Sequence, residues 1–249
     1  IAVVLLLSVS APLAAAGSPA TRLVQGAVFG VALVLVVFAG AELFTGNAMV
    51  MLQGLRAGTV TPAQVAAVWS VSIGGNLLGS IALAAAVHSG GTLDGARADL
   101  VASIVTAKGA AAGPQLFWRA VLCNALVCLA LWMAARATSD GAKLTVLWWG
   151  LLAFIGSGFE HSVANMTTFG LGILGGSATV GDLARNLVWT VPGNIVGGGV
   201  VVGLGYAWLG SARQAVPPAG DRPEGITRRA EPSPEPGHGD LDEGRVGAR

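Results

Sequence analysis

The chain has 249 residues, 53% of them hydrophobic and 11% charged, with a formal net charge of +1 and a mean hydropathy of +0.70. Soluble globular domains carry about 25% charged residues, so this composition excludes an ordinary soluble domain and defines an integral membrane protein. A near-neutral chain without a polybasic block also excludes nucleic acid as a partner.

The apolar runs last roughly 16–25 residues, the length a helix needs to cross about 30 Å of hydrocarbon, and lack the ten-residue alternation of barrel strands. In chain order the spans are predicted at 1–16, 22–56 with a break at 41–47, 63–87, 114–136, 144–174 with a break at 158–162, and 184–209. The first is short: 16 residues at 1.5 Å each reach only about 24 Å. As the chain starts at Ile1 rather than Met, it reads as a truncated first helix. A signal peptide is the rival reading, from the run Ile1–Val9 and the small residues Ala14–Ala16, but the charged n-region is missing.

Tryptophans support these boundaries, since Trp118, Trp132, Trp148, Trp149 and Trp208, with Tyr206, fall at span ends where interfacial aromatics belong. Loop charges do not choose an orientation. With an inside N-terminus, Arg56, Arg136, Lys143 and Arg213 are cytoplasmic, while Arg22, Arg97, Lys108, Arg119 and Arg185 fall on or near the other side. Small residues four apart, Gly75 with Gly79, Gly193 with Gly197 and Gly199 with Gly203, predict close helix packing. Cys123 and Cys128 point to different faces of one helix and read as small buried hydrophobes, with no metal site and no cofactor expected. The glycines at 170, 172 and 175 fit a dinucleotide-loop spacing but lack the preceding strand that such a site requires.

Residues 1–210 form the predicted channel domain and hold 14 of the 27 charged residues; residues 211–249 hold the other 13 and six of the eleven prolines. That tail has too few aliphatic residues to offset the entropy of ordering and is expected to be a disordered cytoplasmic segment.

The most informative feature is a pair of breaks. Gly40-Ala41-Glu42 and Gly158-Phe159-Glu160 each place a glutamate inside apolar sequence and are followed by Asn and Met, which indicates an internal repeat. A charge at the bilayer centre costs about 2.5–3.5 kcal/mol even on the lenient insertion scale, and paired broken helices mark a transport site near the midplane. Backbone that leaves the helix there needs internal partners, so Glu42 and Glu160 are read as ties holding the two loops. His161 and Thr45, at the loop tips, offer hydrogen-bond donors to a passing anion without a fixed charge. Lys108, in the polar connection between the third and fourth spans, would concentrate anions at a pore mouth. His88 and His238 have no specific role in this reading. Residues alone thus lead to a channel or transporter for a small anion.

In the stretches Ala39–Met49, Leu122–Met133, Leu151–Met166 and Asn186–Gly199 the chain resembles the formate/nitrite transporter family, most closely its nitrite channel branch. The likeness covers about residues 20–210. It implies an all-α, six-helix, aquaporin-like bundle with an inverted repeat and two broken helices. It also implies a homopentamer with one pore per protomer, embedded in the lipid bilayer of a bacterial inner membrane with both termini cytoplasmic. By the same resemblance His161 is the central pore histidine, Thr45 the hydroxyl of the first loop, Lys108 the lysine of the periplasmic vestibule, and Asn124 and Asn194 the pore-side asparagines. The apolar constrictions map onto Phe29, Leu33, Leu43, Phe44, Val127 and Phe154, which read in isolation as ordinary core residues. Pro192 departs from the family pattern, as does the short first helix.

The expected function is a channel for small monovalent anions, and the resemblance implies nitrite rather than formate, through Glu42 where formate channels carry aspartate, Thr45-Gly46 and the Trp148-Trp149 pair. Formate and hydrosulfide are the alternatives. An intramembrane acid–base enzyme built on Glu160 and His161 is disfavoured, because adjacent residues diverge on a helix and no nucleophile or metal cluster accompanies them. A simple membrane anchor has no use for two carboxylates at membrane depth. The chain is therefore read as a transporter and not as an enzyme.

Overall fold

The computed structural model describes residues 1–214, with side chains to residue 210. The expected tail from 211 onward lies outside the described residues, apart from four residues that continue the last helix. The helices are α1 (Ala2–Ala15), α2 (Thr21–Phe29), α3 (Val31–Val37), α4 (Phe44–Arg56), α5 (Pro62–Ser89), α6 (Ala96–Ala110), α7 (Gly113–Arg136), α8 (Asp140–Gly156), α9 (Ser162–Leu174) and α10 (Val180–Asn194). A π-helical segment, Ile195–Leu204, then leads into α11 (Gly205–Gln214). Helices at Pro62–Ser89, Gly113–Arg136 and Val180–Gly210 are long and apolar enough to cross a membrane unaided.

Two halves of the chain repeat with a constant offset of 118 residues (160 − 42 and 194 − 76, for example). Half-helix α4 maps onto α9 at both ends, and the starts of α5 and α10 coincide. Thr61 and Thr179 close matching capping boxes on α5 and α10, each satisfying two backbone N–H groups that a helix start leaves unpaired. Gly40 and Gly158, which end the first half-helix at each break, both adopt φ +70°, a conformation open to glycine at little cost. Each half contributes one helix, one broken helix and one long helix. Three crossings per half turn the second half upside down relative to the first, and the packing shows the inversion: α5 lies on α9, while the π-helical segment lies on α4.

The glycines near the end of the second half explain its tightness. A Cβ at Gly199 would lie 2.9 Å from the Ala48 carbonyl oxygen, one at Gly203 would lie 2.9 Å from that of Met49, and one at Gly197 would collide with that of Val121. The backbone of Ile195–Leu204 thus approaches both α4 and α7 with nothing between them. Ten residues of π-helix are unusual, since such turns occur mostly singly. The segment starts just after Pro192, which lacks the N–H that an α-helical ladder would use there. Gly75 and Gly79, the counterparts of Gly193 and Gly197, have open space around them on the outer face of α5.

Four sequence expectations are corrected. The first break is the non-helical stretch 38–43, not 41–47, so Thr45 sits in the first turn of α4 rather than in a loop. The second break covers 157–161. The connection between the third and fourth spans contains helix α6, whose Val101 and Val105 are buried; Leu100, Val101, Ile104 and Val105 recur at helical spacing and pack it against α1 and α9. Finally, α2 and α3 meet at Gly30, where a Cβ would lie 2.7 Å from the Trp148 ring, and the Trp148 Nε1–H donates to the Ala27 carbonyl at 2.8 Å.

Candidate pore site

Both breaks are tied by asparagine. At the second, the Ser162 N–H donates to Asn194 Oδ1 at 2.9 Å while Asn194 Nδ2 donates to the carbonyls of Ala120 (2.8 Å) and Glu160 (3.1 Å). At the first, the Phe44 N–H donates to Asn76 Oδ1 at 3.0 Å and Asn76 Nδ2 donates to the Glu42 carbonyl at 3.1 Å. One amide thereby satisfies a first-turn N–H of the restarting helix and a carbonyl of the non-helical backbone just before it.

The two carboxylates are held by side chains rather than by backbone N–H groups. Glu160 Oε2 accepts from Lys108 Nζ and from Asn165 Nδ2, each at 2.7 Å, and Asn165 Nδ2 also donates to Asn186 Oδ1 at 2.8 Å. Glu42 accepts from Asn47 Nδ2 and from the Ser72 hydroxyl. The halves differ in charge and in cover: Glu160 is 3% exposed and paired with Lys108, whereas Glu42 is exposed on the protomer surface. Lys108 is therefore not a solvated loop cation. It lies on α6, largely buried, in an ion pair with Glu160.

His161 caps α9 and joins the two half-helices. Its Nδ1 accepts the Ala164 N–H at 3.2 Å, and its Nε2 lies 3.0 Å from Thr45 Oγ1. Because Nδ1 is an acceptor in that cap, the proton of a neutral ring sits on Nε2 and points to Thr45. The N-terminal ends of α4 and α9 therefore meet at this hydrogen bond, each carrying the partial positive charge of a helix start.

Two cavities meet at His161. One, of about 230 Å³, is lined by His161, Phe29, Phe154, Lys108, Arg22 and Arg119 among others. The other, of about 180 Å³, is lined by His161, Phe29, Leu33, Leu43, Val127 and Leu151 among others. The Phe29 and Phe154 rings pack edge to face with centroids 5.6 Å apart, and Phe154 lies 5.7 Å from the imidazole. The apolar set implied by the family resemblance is thus brought together around the histidine, with one exception. Phe44 lines neither cavity; it is fully buried against Trp69.

The asparagines expected beside the pore have no N–H to spare. Asn124 Nδ2 donates to the carbonyls of Thr45 (3.0 Å) and Asn194 (2.7 Å), and Asn194 Nδ2 uses both of its hydrogens as given above. Both side chains are fully buried, and their place is under the breaks, bracing them. Sequence reasoning gave no role to Asn76, Asn165, Ser72 or Asn186, although the 118-residue recurrence of Asn47 with Asn165 and of Asn76 with Asn194 was available to find the first two. Both cysteines are free, and Cys128 Sγ lies 3.4 Å from the Thr45 carbonyl. Among the described residues no group of three His, Cys, Asp or Glu side chains is placed to hold a metal ion.

An inverted repeat of broken helices, closed on a histidine shared by the walls of two cavities, defines an α-helical membrane channel. Comparison with known proteins gives the family. The description "Formate/nitrite transporter" matches residues 1–208. The chain is 45% identical over 204 residues to the nitrite transporter NirC of Salmonella typhimurium, covering 80% of this chain and 75% of that protein. It is 38% identical over 182 residues to the formate channel BtFdhC of Bacillus thuringiensis, covering 73% and 70%. Among solved structures, an FNT family ion channel superimposes with a TM-score of 0.77 at 42% identity, covering 84% of this chain and 85% of that one. A pentameric formate channel with formate bound gives 0.68 at 28% identity, covering 85% and 93%. The chain belongs to the formate/nitrite transporter family and is a multi-pass membrane protein.

Proposed function

We propose that the protein is a nitrite channel of a bacterial inner membrane, assembled as a homopentamer with one pore per protomer and both termini cytoplasmic. The observation that carries this reading is the position of His161, shared by the walls of both cavities and hydrogen-bonded to Thr45. An anion entering the apolar passage beside Phe29 and Phe154 loses water, and leaving it without hydrogen bonds would cost several kcal/mol. His161 Nε2–H, by exchanging Thr45 for the anion, supplies one donor; the Thr45 hydroxyl, which keeps its own proton, supplies another. Proton exchange between the anion and this ring would let part of the flux cross as the neutral acid. A second proton on the ring has to displace the Ala164 N–H from Nδ1.

Identity supports nitrite over formate, at 44–45% to nitrite transporters against 38–39% to formate ones. The deciding experiment is flux in proteoliposomes with nitrite, formate and hydrosulfide in parallel. Saturable nitrite uptake faster than that of the other two is expected; transport of formate alone would move the assignment to the formate channels.

A further inference from the structure

The larger cavity has an excess of positive charge that the pore site itself does not use. Lys108, Arg22 and Arg119 line it together with one carboxylate, Glu160. Glu160 neutralises Lys108 at 2.7 Å, and the other ion pair among the described residues, Lys143 with Asp140, lies elsewhere. The two guanidinium groups therefore carry the uncompensated charge of this cavity. Both side chains are exposed, as a site that receives ions from solvent must be.

Each arginine is also fixed to the loop that carries His161. Arg22 Nη1 packs so closely on Gly158 that any Cβ there would collide with it, and Gly158 also needs its φ of +70°. Arg119 holds the same loop through its backbone, its carbonyl accepting the Glu160 N–H at 3.3 Å. The unpaired Arg22 guanidinium thus packs on the turn that leads into His161, and Arg119, also unpaired, lines the same cavity as that turn.

We propose that Arg22 and Arg119 form a capture site for monoanions bearing two oxygens, placed ahead of His161, and that this site rather than Lys108 sets anion occupancy. The inference rests on the channel reading above and adds a selectivity device to it. A guanidinium presents parallel N–H groups that match two oxygens on one centre, whereas an ammonium acts as a point charge. Nitrite and formate both offer that pair of oxygens. Hydrosulfide offers a single sulfur and gains only the charge.

The test uses the assembled channel in proteoliposomes, with initial uptake measured against anion concentration for nitrite and for hydrosulfide. Replacing both arginines with glutamine is expected to raise the half-saturating nitrite concentration roughly tenfold, about 1.4 kcal/mol, with a much smaller change in maximal flux. It should also remove most of the salt dependence of half-saturation, since exposed charges act through a screened field. Replacing both with lysine should keep that salt dependence and lose the preference for nitrite over hydrosulfide. Arg119→Gln alone, which leaves the Arg22–Gly158 packing intact, should show the same shift at smaller size. Unchanged half-saturation in both glutamine proteins, or a wild-type nitrite preference in the double lysine protein, overturns the inference. A wild-type protein that carries neither anion overturns the channel reading itself.

Discussion

Asn76 and Asn194, 118 residues apart, make the same two hydrogen bonds at the two breaks: each accepts the first N–H of a restarting helix and donates to the carbonyl of the preceding glutamate. Their surroundings differ, since Asn194 is fully buried and braces α7 as well, while Asn76 is half-buried. Leaving a buried polar group unpaired costs about 1–3 kcal/mol. Asn194→Leu strands the Ser162 N–H and the Glu160 carbonyl and removes the tie to α7, and should prevent recovery of a folded protein, whereas Asn76→Leu should only lower the unfolding temperature in detergent. Equal losses at the two positions would show that the breaks are not braced in this way.

Glu160 is buried and its partner Lys108 only partly so, and removing the lysine strands the buried carboxylate. Lys108→Ala should cost about 3–5 kcal/mol of stability, and the Lys108→Ala, Glu160→Gln double variant should recover part of it. A double-mutant cycle by thermal unfolding reads the coupling directly. Lys108→Arg should keep more nitrite uptake than Lys108→Ala. Additive losses in the cycle would place the lysine outside the loop's support.

Glycines of the two halves should respond in opposite ways. A Cβ at Gly198 would collide with the Asn124 amide and lie 2.6 Å from Cys128 Sγ, while one at Gly79 meets nothing within 4 Å. Gly198→Ala is expected to disrupt Asn124 and the first turn of α4, with a loss of 1–3 kcal/mol, on the order of core overpacking. Gly79→Ala, in open space inside a helix, should keep helix content and hold or raise the unfolding temperature of the protomer. Comparing the two purified proteins by circular dichroism checks both.

The non-helical backbone around Gly40, Ala41 and Glu42 is exposed in a single protomer, and such backbone is not tolerated against lipid. Assembly that covers it is expected, with native mass spectrometry giving five copies, in line with the pentameric formate channel that superimposes on this fold. A stable monomer that still conducts anions would contradict this.

Much of this architecture was legible in the sequence. Length and hydropathy gave the spans because a bilayer imposes a minimum apolar run, and the glutamates gave the breaks because charge at that depth demands a reason. What stayed hidden depended on partners distant in sequence. Nothing local to Lys108 reveals that Glu160, in the second break, takes up its charge, and nothing in the isolated strings around Asn124 and Asn194 shows that their N–H groups are spent on carbonyls. Helix α6 escaped because its apolar stripe is short and sits in polar sequence. Arg22 and Arg119 looked like interfacial charges until the cavity placed them beside the second break.

The central claim is that His161 lowers the barrier to anion passage between the cavities, and nitrite flux through assembled His161→Phe channels tests it most directly. Phenylalanine preserves ring volume beside Phe154 and removes both the Nε2–H donor and the Nδ1 cap. The account predicts an assembled protein without measurable nitrite flux, while His161→Asn, which keeps an N–H donor, retains some flux and loses its dependence on pH. An assembled His161→Phe protein that conducts nitrite at the wild-type rate, with the wild-type pH profile, would contradict it.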